Sequence, residues 1–120
     1  MTGFLTLPRP PSQNSCWRNA GGRRGRVRTA RYLTWLRAAG NQAMAQPRWK
    51  VTGAYIVDIT VEKKAGDIDN LIKPIVDALV ALEYVPDDRH MVEVRARWGA
   101  VDGVEIRVWQ QTAADAMRAA

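Results

Sequence analysis

The stretch "AYIVDITVEKKAGDIDNLIKPIVDAL", residues 54–79, contains the change of hydrophobic period that decides the fold. From Trp49 to Glu62 the apolar residues alternate and both faces are partly apolar, which is typical of a central β-strand. From Asn70 to Leu82 the apolar residues recur at helical spacing. The stretch therefore predicts a strand and a helix, with Asp67 and Asp69 at the junction between them.

The sequence on either side predicts a small α/β domain. A short strand opens the chain, a helix capped by Thr29 precedes the central strand, and two strands around "GAVDG" form a predicted hairpin. This order favours one mixed sheet with two helices packed against it. We expect a single domain over residues 1–110 and a C-terminal tail over 111–120. The predicted flanking elements are Phe4–Leu7, the helix from Thr29 to about Gln46, His90–Trp98 and Val104–Gln110.

Pro74 does not fit easily into the second predicted helix. Proline is comfortable in the first turn, where its missing N–H has no intrahelical partner, but not further inside. The sequence therefore predicts that the regular helix begins later than Asn70 or bends at its start.

The charge is divided between two parts of the chain. Residues 1–57 hold nine arginines, one lysine and no acidic residue, a charge of +10, whereas the remainder carries −4 and the whole chain +6. This separation favours an anionic partner, although arginines that are merely solvated would give the same composition. We predict a flexible basic loop that binds the phosphates of such a partner at Arg18, Arg23, Arg24, Arg26 and Arg28.

The remaining composition excludes several classes of protein. A single cysteine, Cys16, cannot form an internal disulfide, and a single histidine, His90, leaves no zinc site of the usual composition. No stretch approaches ~20 apolar residues and the N-terminus does not resemble a signal peptide, so we expect a cytoplasmic protein without a membrane span. "DIDNLIKP" begins like a calcium-binding loop but lacks its later glycine and glutamate.

The acids after the central strand indicate metal chemistry. If the chain is extended there, Asp67 and Asp69 point to one side and their repulsion favours a hard divalent ion such as Mg²⁺. In a phosphate-binding protein this arrangement suits phosphodiester hydrolysis, and Lys73 would stabilise the charged phosphate. A third acid would come from Asp87 or Asp88, although the sequence does not place that turn near the helix. The alternatives are structural: a helix cap at Asp69, a solvated Lys73 and ordinary turn residues after Pro86.

Three segments together resemble one known family. "DIDNLIKPIVDAL" is similar to the signature D-x-D-N-x-x-K-x-x-x-D-x-L of RusA-type Holliday junction resolvases. "PDDRHMVEV" resembles the family's second block, in which a pair of acids opens a strand. "LTLPRPPSQNS" resembles its N-terminal block, a strand followed by P-P-S-x-N. The three segments occur in the family's order and span roughly residues 4–110.

The resemblance implies a homodimeric, RusA-like endonuclease that nicks four-way DNA junctions symmetrically with Mg²⁺ or Mn²⁺ in recombination and repair. It also implies that Asp67, Asp69 and Asp88 hold the metal, that Asp88 matters more than Asp87, and that Lys73 is catalytic. Asp77 matches the signature without an assigned role, and a phage origin is typical of the family. Two alternatives remain open: a protein of the same fold that binds branched DNA without cutting it, and a nuclease for forks or flaps.

Overall fold

The computed structural model describes residues 1–22 and 25–112 and confirms a small α/β fold. Arg23, Arg24 and residues 113–120, and with them most of the predicted tail, lie outside the described residues. Neither of the two described helices is long and apolar enough to cross a membrane. The strands are β1 Gly3–Leu7, β2 Trp17–Asn19, β3 Arg26–Arg28, β4 Tyr55–Glu62, β5 Met91–Gly99 and β6 Val104–Gln110; the helices are α1 Ala30–Met44 and α2 Asp69–Ala81.

The main sheet is mixed and has the order β1-β6-β4-β5. Strand β4 pairs parallel with β5 and antiparallel with β6, and β6 also pairs antiparallel with β1. In β4 the alternate residues Tyr55, Val57, Ile59 and Val61 are buried and belong to the same core as the buried faces of both helices. Both helices therefore pack against the same face of the sheet, the face that carries these four residues of β4.

The predicted hairpin between the last two strands is wrong. Strands β5 and β6 lie on opposite sides of β4, so residues 100–103 connect them across the end of that strand. Helix α2 is the crossover connection between β4 and β5. It returns the chain to the end of the sheet at which β4 starts, so β5 runs parallel to β4. Strand β6 then takes the free side of β4, and the Glu62 amide donates to the Gly103 carbonyl at 2.8 Å, which holds the connection in place.

Helix α1 begins where the sequence predicts. The hydroxyl oxygen of Thr29 accepts a hydrogen bond from the Tyr32 amide at 3.2 Å, and the helix ends before Pro47. Its buried residues face the sheet, and the Trp35 indole N–H donates to the Pro8 carbonyl at 2.9 Å. This bond holds the proline-rich segment that follows β1 against α1.

The start of helix α2 differs from two expectations: the chain before it is not extended, and the helix does not begin later than Asn70. Ile68 already has helical angles, φ −63° and ψ −34°, and the Asp67 carbonyl accepts from the Asn70 amide at 3.2 Å. The chain from Asp67 to Asp69 is thus a turn, so the extended geometry that would align the two carboxylates does not occur. Pro74 lies inside the regular helix, which is unbroken from Asp69, and leaves the Asn70 carbonyl without its usual i+4 donor. The proline is buried on the apolar face of α2, so packing offsets this loss.

The predicted basic loop, which contains Arg18, Arg26 and Arg28, is only partly a loop. Strands β2 and β3 pair antiparallel, with Trp17 opposite Arg28. The Arg28 guanidinium lies 5.2 Å from the Trp17 ring centre and 4.7 Å from that of Tyr32 on α1. These cation–π contacts attach the hairpin to the helical layer. The prediction of a flexible loop over this whole segment is therefore wrong.

Candidate active site

Lys73 joins two sequence segments that lie far apart along the chain. Its Nζ lies 2.8 Å from Asp88 Oδ2 and 3.0 Å from Asp77 Oδ1. Asp77 is one turn further along α2, and Asp88 opens a 3-10 turn that leads into β5. The sequence alone could not show that the turn with Asp88 lies near α2, and this contact brings the two together. Asp77 holds the lysine from the helix side.

Electrostatics keep Lys73 and Asp88 ionised. The hydrogen bond that Lys73 donates is the main cause that holds the pKa of Asp88 below its usual range. The same bond to Asp88 raises the pKa of Lys73, against a smaller opposing effect of burial. At neutral pH Lys73 is therefore a cation paired with the Asp88 carboxylate, which is the state in which it can stabilise charge on a phosphate.

Asp87 and Asp88 have different roles. The Asp87 side chain accepts from the Arg89 amide at 3.1 Å and so caps the 3-10 turn, whereas Asp88 is directed to Lys73. The preference for Asp88 over Asp87 as a metal ligand, which the resemblance implies, stays a prediction. Asp87 fits the structural alternative of a turn residue.

Tyr55 supports the turn and is absent from the sequence-based site. Its hydroxyl donates to the Asp87 carbonyl at 3.1 Å. Burial, with smaller contributions from the charges of Asp88 and Asp87, raises the pKa of Tyr55 to about 12. The phenol thus remains a hydrogen-bond donor throughout the physiological range. A tyrosine at the start of a buried strand is an ordinary core residue by pattern, so no local signal identifies this role.

The other two predicted acids lie at the start of α2, away from the turn that carries Asp88. Asp67 and Asp69 are exposed at its N-terminus, after the end of β4, whereas the turn with Asp88 adjoins the start of β4, where Tyr55 pairs with Met91. Within residues 1–22 and 25–112, no three acidic, histidine or cysteine side chains are grouped so as to hold a metal ion. The described part of one chain therefore brings Lys73 and Asp88 together but does not assemble all three predicted acids.

The hairpin of β2 and β3 lies beside the cluster formed by Lys73, Asp77 and Asp88, here called the lysine cluster. Arg28 lines a cleft of about 260 Å³ together with Asp77, Asp87 and Asp88. Arg18 is exposed, and the exposed Arg26 lies 5.5 Å from the Trp17 ring centre. Trp17 is half-buried, and the guanidinium groups of Arg26 and Arg28 lie over its ring. Arg23 and Arg24, the other two predicted DNA-binding residues, lie outside the described residues.

Comparison with known proteins identifies the family. No curated protein matches the chain. The family model described as endodeoxyribonuclease RusA matches residues 8–109, a span that includes the proline-rich segment, both helices and the turn that carries Asp88. Since this match covers most of the 120 residues, the chain belongs to the RusA endodeoxyribonuclease family.

Proposed function

We propose that the protein is a metal-dependent endonuclease that resolves four-way DNA junctions by paired, symmetric nicks in recombination and repair. The observation that carries the proposal is the contact between Lys73 and Asp88, because it joins the two acidic sequence blocks around one cation in a chain of the RusA family. A four-way junction is a symmetric substrate, which favours a homodimer, and a DNA substrate favours a cytoplasmic location.

The donor chemistry of the site fits a hard divalent ion. Asp67 and Asp69 present exposed carboxylates, and Asp88 is already ionised by its contact with Lys73. Mg²⁺ usually takes only one or two protein carboxylates and completes its coordination with water and phosphate oxygens, so a preformed group of three acids is not needed. We infer that Asp67, Asp69 and Asp88 hold Mg²⁺ or Mn²⁺. The ion would polarise the phosphate and lower the pKa of the attacking water.

The chain's own residues would bind and orient the substrate. Lys73, held by Asp77 and Asp88, would place a positive charge against the phosphate being cut. The hairpin arginines would bind phosphates further along the DNA, since Arg28 adjoins the Lys73 cluster and Arg18 and Arg26 face solvent.

Asp69→Asn tests the catalytic part of this proposal. The variant should bind a synthetic four-way junction as the wild type does, but nicking with Mg²⁺ or Mn²⁺ should fall by at least about 100-fold, since one charged ligand is lost. Asp102→Asn, which removes an exposed loop acid, is the matched control and should nick normally. Wild-type nicking rates in Asp69→Asn would contradict the assignment.

Asp67, Asp69 and Asp88 do not form a preformed metal-binding group within the described residues, which favours a second candidate, a protein that binds branched DNA without cutting it. Wild-type protein that binds the junction but does not nick it in either metal would support this candidate over the first. Cleavage of four-way junction, flap and duplex at equal salt concentration distinguishes a resolvase from a nuclease for other branched DNA. A resolvase should cut the junction fastest.

The arginine assignment has its own test. Replacing Arg18 and Arg26 with glutamine should weaken junction binding and flatten its dependence on salt, because each lost phosphate contact reduces the slope of log K against log salt by roughly 0.9. Arg37→Gln, a charge change on the exposed side of α1, should have a smaller effect. A slope equal to that of the wild type would contradict a role for the hairpin in DNA binding.

A further inference from the structure

A small cleft beside Asp67 lies outside the lysine cluster. It has a volume of about 190 Å³ and three walls: the proline-rich segment after β1, the first turn of α1 and the loop that leads into α2. This volume is below the roughly 300 Å³ at which pockets for drug-sized ligands begin, so the cleft suits a group the size of a phosphate. Its polar lining consists of Arg9, Ser12, Ser15, Arg31 and Asp67.

Arg9 is fixed at the wall of this cleft. Its Nη2 donates to the Ala65 carbonyl at 3.2 Å, and its guanidinium lies 5.8 Å from the Trp98 ring centre. Its Nε is buried and has no hydrogen-bond partner among the described residues. A guanidinium held in this way loses little conformational entropy when it binds an anion.

The opposite wall supplies a second cation. Arg31 is exposed in the first turn of α1, and the hydroxyl of Ser12 makes no capping bond to the 3-10 turn that follows it. Two guanidinium groups face one carboxylate, Asp67, so the charged lining has an excess of positive charge. Arginine is the side chain best suited to bidentate phosphate binding, and serine hydroxyls commonly add contacts to phosphate oxygens.

We propose that Arg9 and Arg31 form a subsite for a DNA phosphodiester next to the one that is cut. The inference rests on the proposed function because Asp67 borders both the cleft and the start of α2. A strand bound with one phosphate in the cleft would run past Asp67 towards Asp69. The subsite would thus fix the register of the strand relative to the metal-holding acids.

A charge-matching experiment tests this subsite without cleavage. Junctions carrying a single neutral methylphosphonate at successive positions around the exchange point are bound to wild-type protein in Ca²⁺, and the position that costs the most affinity is identified. In Arg31→Gln a methylphosphonate at that position should change the affinity by less than about 2-fold. The reason is that the guanidinium that contacts the phosphate charge has been removed. Arg37→Gln, on the same helix, should retain the wild-type pattern. Arg31 is exposed, so its replacement should leave the fold unchanged, as circular dichroism would check.

Arg9 calls for two variants, since it also holds the loop at Ala65. Arg9→Gln should remove the same position-specific effect, and Arg9→Lys should retain part of it because the charge remains. The subsite would be overturned if a methylphosphonate cost wild-type protein the same affinity at every position. It would also be overturned if Arg31→Gln kept the wild-type pattern. A wild type that binds the junction with the position-specific pattern but never nicks it would overturn the proposed function alone.

Discussion

At the scale of single residues, Asp58 is a buried acid on the sheet face opposite the helices. The Arg97 guanidinium donates to both of its carboxylate oxygens, at 2.7 and 2.9 Å, and also to the Thr60 hydroxyl. This contact, with smaller contributions from Arg107 and Arg95, holds the pKa of Asp58 below its usual range. Asp58 therefore stabilises the fold rather than serving as a fourth acid of the site.

Replacing Asp58 should destabilise the protein in a pH-dependent way. Asp58→Asn should lower the thermal unfolding midpoint by several degrees at pH 7, because Arg97 loses its charged partner. Since the folded-state pKa is depressed, the ionised carboxylate stabilises the fold fully above the ordinary Asp pKa of about 3.9, and this stabilisation is lost as pH falls through the folded-state pKa. The difference between the two proteins should thus shrink below about pH 4.

Unfolding of both proteins between pH 7 and pH 3, followed by circular dichroism, measures this difference. Asp102→Asn serves as the control because Asp102 is exposed in the loop between β5 and β6. A gap between wild type and Asp58→Asn that stays constant down to pH 3 would contradict the ion pair.

Single residues of the candidate site carry sequence signals of different strength. Lys73, Asp69 and Asp88 follow from a motif, because their identities and spacing are local properties of the chain. Their mutual distances were not predictable, since the Lys73–Asp88 contact depends on a crossover that brings the turn before β5 back to α2. Tyr55 was missed for the same reason, because its hydrogen bond to Asp87 spans 32 positions.

At the scale of elements, the helices were predictable and the pairing of the strands was not. Thr29 fixes the start of α1 and the apolar spacing fixes α2, and both are local signals. The partners of β5 and β6 depend on which side of β4 is free after the crossover, which no local pattern encodes. Turn-like residues between two strands therefore indicated a hairpin where the structure has a connection across β4.

Gly103 makes this connection possible. Its φ is +69°, and a Cβ atom at this position would lie 2.5 Å from the Leu7 carbonyl oxygen. Gly103→Ala should therefore reduce the free energy of unfolding by about 1–3 kcal/mol. Chemical denaturation provides the measurement.

Gly53→Ala is the matched control for this change. A Cβ atom added at Gly53 would have no described atom within 4 Å, and the φ of Gly53 is not left-handed. This substitution should therefore change the free energy of unfolding by less than about 1 kcal/mol. Equal effects at the two glycines would contradict the role given to Gly103.

At the scale of the whole molecule, one face of the sheet carries no helix from residues 1–22 and 25–112. The Asp58–Arg97 pair lies on this face, together with the pair formed by Arg107 and Glu105. Charges on this side are thus largely matched within the sheet, whereas the N-terminal part of the chain carries +10 without an acid. By contrast, Arg18, Arg26, Arg31 and Arg37 are exposed on the β2–β3 hairpin and on α1.

The proposed paired nicking requires two active sites on one particle. Light scattering coupled to gel filtration should give a mass near twice that of one chain at micromolar concentration, because two symmetric cuts need two subunits in fixed relation. The measurement should be repeated at high salt to exclude association through the basic segments. A monomer at every concentration used for cleavage would contradict paired incision.

The antiparallel pairing of β1 with β6 also has a consequence for synthesis of the protein on the ribosome. Leu7 pairs with Val104, so β1, which leaves the ribosome first, cannot pair until β6 has been synthesised. At typical translation rates this interval is roughly 5–20 s, during which β1 must remain unpaired or be shielded by a chaperone. A nascent chain stalled before β6 would thus be unable to complete its sheet, however well its helices had formed.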